Sequence, residues 1–270
     1  MPEMQNIKLL NTTLAEVIEG QRQALGLIDA ARHVLPFTYA FCVVNRPGAR
    51  PLYLCDTYPE GEAKAAVQTY VARTYLVNPI YNQILQGLPP GIHHMADHAP
   101  DNWTRLQSSA GILPTRHEEI GFRTPGWPLG LQELSLTVDL GQANTGEISF
   151  AHPAAKGGFS RTAANRLRPF FPLFSVAFRA IWRRHHSAAQ QQKQVETALE
   201  SFGNDLLTPR EAEVARLVLM GHSSQSIALR LGIALPTVKT HRARVYSKLG
   251  VNTQQQLFAR FMTWQAEGVD

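Results

Sequence analysis

Apolar positions along the chain change period several times, and each change marks an element. Over 12–33, Leu14, Val17, Ile18, Leu25, Ile28 and Ala31 recur at helical spacing, and Pro36 closes the run. Two strand-like runs follow, TYAFCVVN (38–45) and PLYLCDT (51–57), separated by the turn signals Asn45, Pro47 and Gly48. That pattern predicts a hairpin. Helical spacing returns over 60–76, Asn78–Pro79 breaks it, and IYNQILQG forms a short helix before the loop Pro89-Pro90-Gly91. Residues 101–111 predict another short helix. LQELSLTVDL (131–140) then alternates and TGEISFAHP (145–153) answers it across GQAN, a second hairpin. From Ser160 a long helix is expected, with Leu167, Phe170, Phe171, Phe174, Phe178 and Ile181 apolar and Pro169 and Pro172 delaying its start. Helices flanking two antiparallel hairpins predict an α+β unit over 1–186, an antiparallel sheet with helices packed on it.

The pattern dissolves over 187–206, a polar, glutamine-rich stretch that reads as a partly helical linker. Residues 207–270 then return to short helical periods. Thr208 is placed as a helix cap, Pro209 at the first turn and Glu211 three residues after the cap, as in a capping box. Val214, Leu217 and Val218 mark the buried face and Gly221 stops the helix. SSQSIALRLG starts with serine caps and buries Ile227 and Leu231, and Gly232 allows a tight turn into ALPTVKTHRARVYSKLG. Two short helices joined at a glycine, the second one basic, describe a helix-turn-helix.

Charge sharpens that reading. The net charge is +5 over 270 residues. Eight bases and four acids lie between Leu207 and Asp270, so +4 of the total sits in the last quarter. The stretch 235–250 carries four cations and no acid. On a wheel of about 100° per residue, Val238, Val245 and Leu249 form the core side, and Lys239, Thr240, Ala243 and Ser247 the opposite side. Small residues at the centre admit the helix to a major groove, and cations at the edge meet phosphates. An acid there would repel the backbone. Cys42 and Cys55, both in apolar runs, read as reduced buried thiols. No basic segment followed by an apolar core opens the chain, and no run approaches the roughly 18 apolar residues of a membrane span. A cytoplasmic location without membrane contact is expected. His93, His94 and His98 read as loop histidines rather than metal ligands, no catalytic constellation stands out, and no cofactor is expected.

The segment LTPREAEVARLVLMGHSSQSIALRLGIALPTVKTHRARVYSKLGVNTQQQLFARF resembles the DNA-binding domain of LuxR-type transcription regulators. The landmarks are LTPRE, Gly221, Ile227-Ala228, Leu231-Gly232-Ile233, Thr237-Val238-Lys239 with His241, and Tyr246 followed by Lys248-Leu249-Gly250-Val251. The resemblance implies an all-α, four-helix domain whose third helix reads the groove of promoter DNA and whose fourth, over 252–263, takes part in dimers. Ser224, Gln225 and Ser226 depart from the family's usual Asn, Lys and Glu. Ala234 replaces a usual capping Ser, a loss of about 1 kcal/mol. Arg242 stands at a normally apolar position and Ala243 at an often basic one. Base reading is therefore assigned to Lys239, Thr240 and Ala243, with DNA shape contributing. Phosphate contacts are assigned to Ser223, Ser224, Thr237, Arg242, Arg244 and Lys248. Sigma-factor region 4 has a similar helix-turn-helix, but strands rather than polymerase-binding helices precede it here.

The first 186 residues resemble the ligand-binding domains joined to such regulators, α-β-α sandwiches akin to autoinducer and GAF domains. The residues that carry this are Tyr70 and Tyr75 ahead of Asn78–Pro79, and IGFRTPGWPLG (120–130) leading into the second hairpin. In acyl-homoserine-lactone receptors a Trp and a Tyr precede an Asp-Pro pair; here Ala65, Thr69 and Asn78 hold those places. An Asn accepts an amide N–H more weakly than a charged Asp. A small-molecule effector other than a typical acyl-homoserine lactone is expected, in a pocket between the sheet and the helices at 60–85 and 101–111. Its candidate lining is Phe41, Tyr53, Tyr70, Tyr75, Asn78, Tyr81, Trp103 and Trp127. Phe170, Phe174, Phe178 and Ile181 form either core or a homodimer seam. The expectation is an effector-controlled, homodimeric DNA-binding regulator with RNA polymerase as a further partner. The alternative is constitutive DNA binding, with the first domain serving protein interaction or dimerisation only.

Overall fold

The chain divides into two units, Met1–Arg184 and His185–Asp270, in a computed structural model that describes residues 2–99, 112–115 and 118–267. The first unit is built on a five-stranded antiparallel sheet in the order β2-β1-β7-β6-β3. Its strands are β1 (Tyr39–Asn45), β2 (Leu52–Asp56), β3 (Gly91–His94), β6 (Leu131–Gly141) and β7 (Asn144–Pro153). A separate two-residue pair joins β4 (Leu113–Pro114) to β5 (Phe122–Arg123). Both expected hairpins form, β1/β2 and β6/β7.

Side chains alternate across a strand, so β1 feeds two cores. Ala40, Cys42 and Val44 enter a core with α1 (Pro2–Glu19), α2 (Leu25–Arg32) and the first half of α6 (Phe171–Ser201). Phe41 and Val43 enter a second core with Ala66, Val67 and Tyr70 of α3 (Glu62–Ala72) and Tyr81 of α4 (Pro79–Leu85). The unit is thus an α-β-α sandwich within an α+β fold. A strand covered on both faces reads as a continuous apolar run, as AFCVV does.

In the first core Leu10, Leu14, Leu27, Ile28, Phe174 and Phe178 are fully buried, each worth about 1.5–3 kcal/mol of apolar burial. Gly146 of β7 lies directly beneath Phe178: a Cβ there would come within 2.6 Å of the ring. Glycine is what lets α6 approach the sheet this closely.

Several expectations are corrected. The helix expected over 12–33 is two helices, because the chain turns at Gly20 with φ 84°. α6 begins at Phe171, after α5 (Ala164–Leu167) and a 3-10 turn containing Pro169, and it runs through most of the stretch read as linker. Phe174, Phe178 and Ile181 are buried in the first core with Phe170 packed beside them, so that stripe is core and not a dimer seam. GIHH is an edge strand, β3, rather than loop. The helix expected over 101–111 and Trp103 lie outside the described residues.

The second unit holds α7 (Pro209–Leu219), α8 (Ser224–Leu231), α9 (Leu235–Leu249) and α10 (Gln254–Glu267). Thr208 Oγ1 accepts from the Glu211 N–H while Glu211 accepts from the Thr208 N–H, a complete capping box. Gly232 and Gly250 close α8 and α9 in the left-handed conformation. Val214, Val218, Ile227, Val238, Val245 and Leu257 form the centre of its core.

Candidate nucleic-acid interface and a buried cavity

α9 turns Val238, Val245 and Leu249 inward, and Thr237, Lys239, Thr240, Ala243, Arg244 and Ser247 stand exposed. Its face therefore offers small or polar side chains flanked by Lys239 and Arg244. Thr240 Oγ1 donates to the Pro236 carbonyl at 3.1 Å, which fixes its rotamer along the exposed face. Ala234 precedes the helix without a side-chain cap, as read from the sequence.

Four expected phosphate contacts hold internal partners instead of standing free. Ser223 caps α8 by accepting from the Ser226 N–H at 3.1 Å. Arg242 is half-buried and donates to Ser224 Oγ at 2.8 Å and Tyr246 Oη at 2.9 Å. These partners are neutral, so they orient the guanidinium without cancelling its charge. Lys248 Nζ sits 2.6 Å from Oε2 of buried Glu211. This bond, with the Thr208 N–H, holds the Glu211 carboxyl down at about 2, so the pair is ionised and close to neutral as a unit. A separation of 37 residues hid that pair from helical-spacing arguments.

The first unit contains a partly open cavity with about 50 Å³ of solvent-sized space. Phe41, Tyr70, Asn78 and Trp127 line it. Their rings meet edge-on or tilted, with Phe41–Tyr70 centroids at 5.1 Å, Phe41–Trp127 at 5.9 Å and Tyr70–Trp127 at 6.0 Å. Tyr75 and Tyr81 pack behind them, edge-to-face at 5.0 Å. Asn78 caps α4 by accepting from the Tyr81 N–H at 3.0 Å, so its carbonyl oxygen is engaged by the backbone. Tyr53 lies away from the cavity, exposed on β2 and donating to Asp56 beside Lys64.

The chemistry of the cavity comes from residues that aromatic counting missed. Leu134, Leu136 and Val138 of β6 face the first core, so Glu133, Ser135 and Thr137 face the second; on β7, Glu147 and Ser149 do the same. Ser135, Thr137, Glu147 and Ser149 are all buried. Glu147 accepts from Asn45 Nδ2 at 2.7 Å and Ser135 Oγ at 2.9 Å. Glu133 accepts from Ser149 Oγ at 2.9 Å, lines the cavity, and keeps part of its surface open there. Burial, reinforced by the carboxylates of Glu119, Glu147 and Glu118, pushes the Glu133 carboxyl up to about 8. Burial likewise lifts Glu119, which also lines the cavity and accepts from the Glu133 N–H, to about 7. The Tyr70 hydroxyl is buried and has no hydrogen-bond partner among the described residues. Polar alternation in LQELSLTVDL was the visible signal. In a sheet covered on one side it would mean a wet face; the second helical layer makes it a buried one.

Comparison with known proteins follows the same division. Residues 205–261 match the family model for bacterial regulatory proteins of the luxR family. A protein of Aeromonas salmonicida, named as an HTH-type transcriptional regulator in the exeN 3' region, is 31% identical over 195 residues, covering 68% of this chain and 93% of that one. The transcriptional regulatory protein MctR of Rhizobium johnstonii is 45% identical over 51 residues, 19% of this chain and 24% of its own length. The crystal structure of Escherichia coli SdiA aligns over 96% of this chain and 98% of that one, at 16% identity and a TM-score of 0.40.

Proposed function

The chain belongs to the luxR family of bacterial regulatory proteins and is a DNA-binding transcriptional regulator; on that premise we propose that its first unit senses a small molecule and thereby controls promoter binding. The second unit lays α9 in the major groove. Lys239 and Thr240 meet base edges, Ala243 lets the helix approach, and Thr237, Arg242 and Arg244 meet phosphates. Two half-sites are bound by a homodimer. The effector occupies the cavity between the sheet and α3, and is not a typical acyl-homoserine lactone.

The observation that carries the sensing reading is the polar floor of the cavity. A domain serving dimerisation alone gains nothing from placing Glu133 and an unpartnered Tyr70 hydroxyl inside it, since each such group costs stability unless something satisfies it. An effector that binds one conformation better shifts the population toward it, and DNA affinity follows. Native mass spectrometry of the chain purified gently from its own host tests this. A reproducible added small mass, whose removal changes DNA affinity, is the expected result. A chain that carries no added mass and binds DNA equally with and without host extract would overturn sensing in favour of constitutive binding.

A further inference from the structure

Among the described residues, acids outnumber cations around the cavity. Glu118, Glu119 and Glu133 line it, and Arg123 is the cation among its described lining residues. Arg123 lies 4.0 Å from Glu118 and spends a donor on the Trp127 carbonyl at 2.8 Å, so Glu133 has no cationic partner among the described residues. Behind Glu133 stands Glu147, fully buried and held by neutral donors alone. A desolvated carboxylate repels its like-charged neighbours strongly at low dielectric, and a cation brought among them relieves every one of those repulsions.

A second, independent observation points the same way. Tyr70 lines this cavity, 4% exposed, and its buried hydroxyl has no hydrogen-bond partner among the described residues. The Phe41, Tyr70 and Trp127 rings form its apolar wall, and aromatic faces attract cations. Among the described residues no three His, Cys, Asp or Glu side chains converge to hold a metal ion. The aromatic wall suits an organic cation, whose apolar body packs against it while its head group meets the acids.

We propose that the effector is a small organic cation, with a primary amine or amidine-like head group seated between the Glu133 carboxylate and the Tyr70 hydroxyl and an apolar body against Phe41 and Trp127. The head group donates N–H bonds to both oxygens. This assignment rests on the sensing reading above and gives it a ligand class. A cation stabilises the ionised form of Glu133, which burial otherwise keeps protonated, so its binding releases a proton.

Butylamine and 1-butanol, alike in shape and different in charge, separate the classes. Each is titrated into the full chain by calorimetry and thermal shift, beside Glu133→Gln and Tyr70→Phe. Butylamine should bind and raise the melting temperature while 1-butanol at the same concentration does not. Glu133→Gln should weaken butylamine about tenfold to a hundredfold, the loss of a charged hydrogen-bond partner. Tyr70→Phe should weaken it less and melt no lower than the unaltered chain does in buffer, which controls for folding. If 1-butanol binds as well as butylamine, if neither binds, or if both variants bind butylamine unchanged, the cation assignment is wrong. A host-derived neutral molecule that alters DNA affinity would overturn the cation and leave sensing intact. Butylamine binding that depends on Glu133 but never alters DNA affinity would support the cation site and refute sensing.

Discussion

Lys248 and Arg244 are four residues apart on α9 and both exposed at their ends, yet they should act differently on DNA. Each cation that neutralises a phosphate contributes about 0.9 to the slope of log K against log salt. Arg244 has no ion pair among the described residues, and Arg242 is bonded to neutral oxygens. With Lys239, α9 carries three cations without an ion pair among the described residues, or about −2.7 of slope per chain bound. Lys248 is already compensated by Glu211 at 2.6 Å. Arg244→Ala should therefore flatten the slope by about 0.9 per chain bound, and Lys248→Met should leave it nearly unchanged while lowering the melting temperature. Glu211→Gln keeps a capping-box side chain and frees Lys248, so it should steepen the slope by about 0.9. Fluorescence anisotropy of a labelled duplex from about 50 to about 200 mM salt measures all three. A Lys248→Met slope as flat as that of Arg244→Ala would refute the argument, because the ammonium would then leave Glu211 for a phosphate on binding.

Three further outcomes are expected. Gly146→Ala forces a methyl into the Phe178 ring at 2.6 Å and should cost about 1–3 kcal/mol in urea unfolding; an unchanged midpoint would show that α6 is free to move off the sheet. The two units should respond oppositely to pH. Glu133 and Glu119, raised to about 8 and about 7, hold protons that the unfolded chain releases near 4.5, so the stability they give falls as pH rises from there through 8. Glu211, held at about 2, gives stability that is present above 4.5 and lost as pH falls toward 2. Melting curves in acid and alkaline buffers check this: Glu133→Gln should blunt the alkaline loss and Glu211→Gln the acid loss, and parallel curves would contradict both. Finally, burial raises the Cys42 thiol well above its ordinary value, so iodoacetamide should label half-buried Cys55 in the folded chain and reach Cys42 only after denaturation; equal labelling of both in the folded chain would place Cys42 outside the core.

Much of the architecture follows from local patterns in the sequence. Apolar runs with turn signals specified the first hairpin and a period-two run the second, and cap residues placed α7 and α8 through Thr208, Ser223 and Gly232. The wheel of α9 separated Val238 and Val245 from Lys239, Thr240 and Arg244. These are local features, decided by backbone geometry and solvation within a few residues, so sequence order suffices to find them. Tertiary structure alone decided which groups meet at a distance. It paired Lys248 with Glu211 across 37 residues and turned Arg242 onto Ser224. It buried the Phe174–Phe178 stripe that could equally have been a dimer seam, because a helix records which face is apolar but not what covers it. It also changed the meaning of Glu133, Ser135, Glu147 and Ser149. Their alternation states only that they share one face of the sheet. A second layer carrying Tyr70, Trp127 and α3 takes that face out of water; Glu133 then lines a cavity, and Ser135, Glu147 and Ser149 become a buried polar layer beside it.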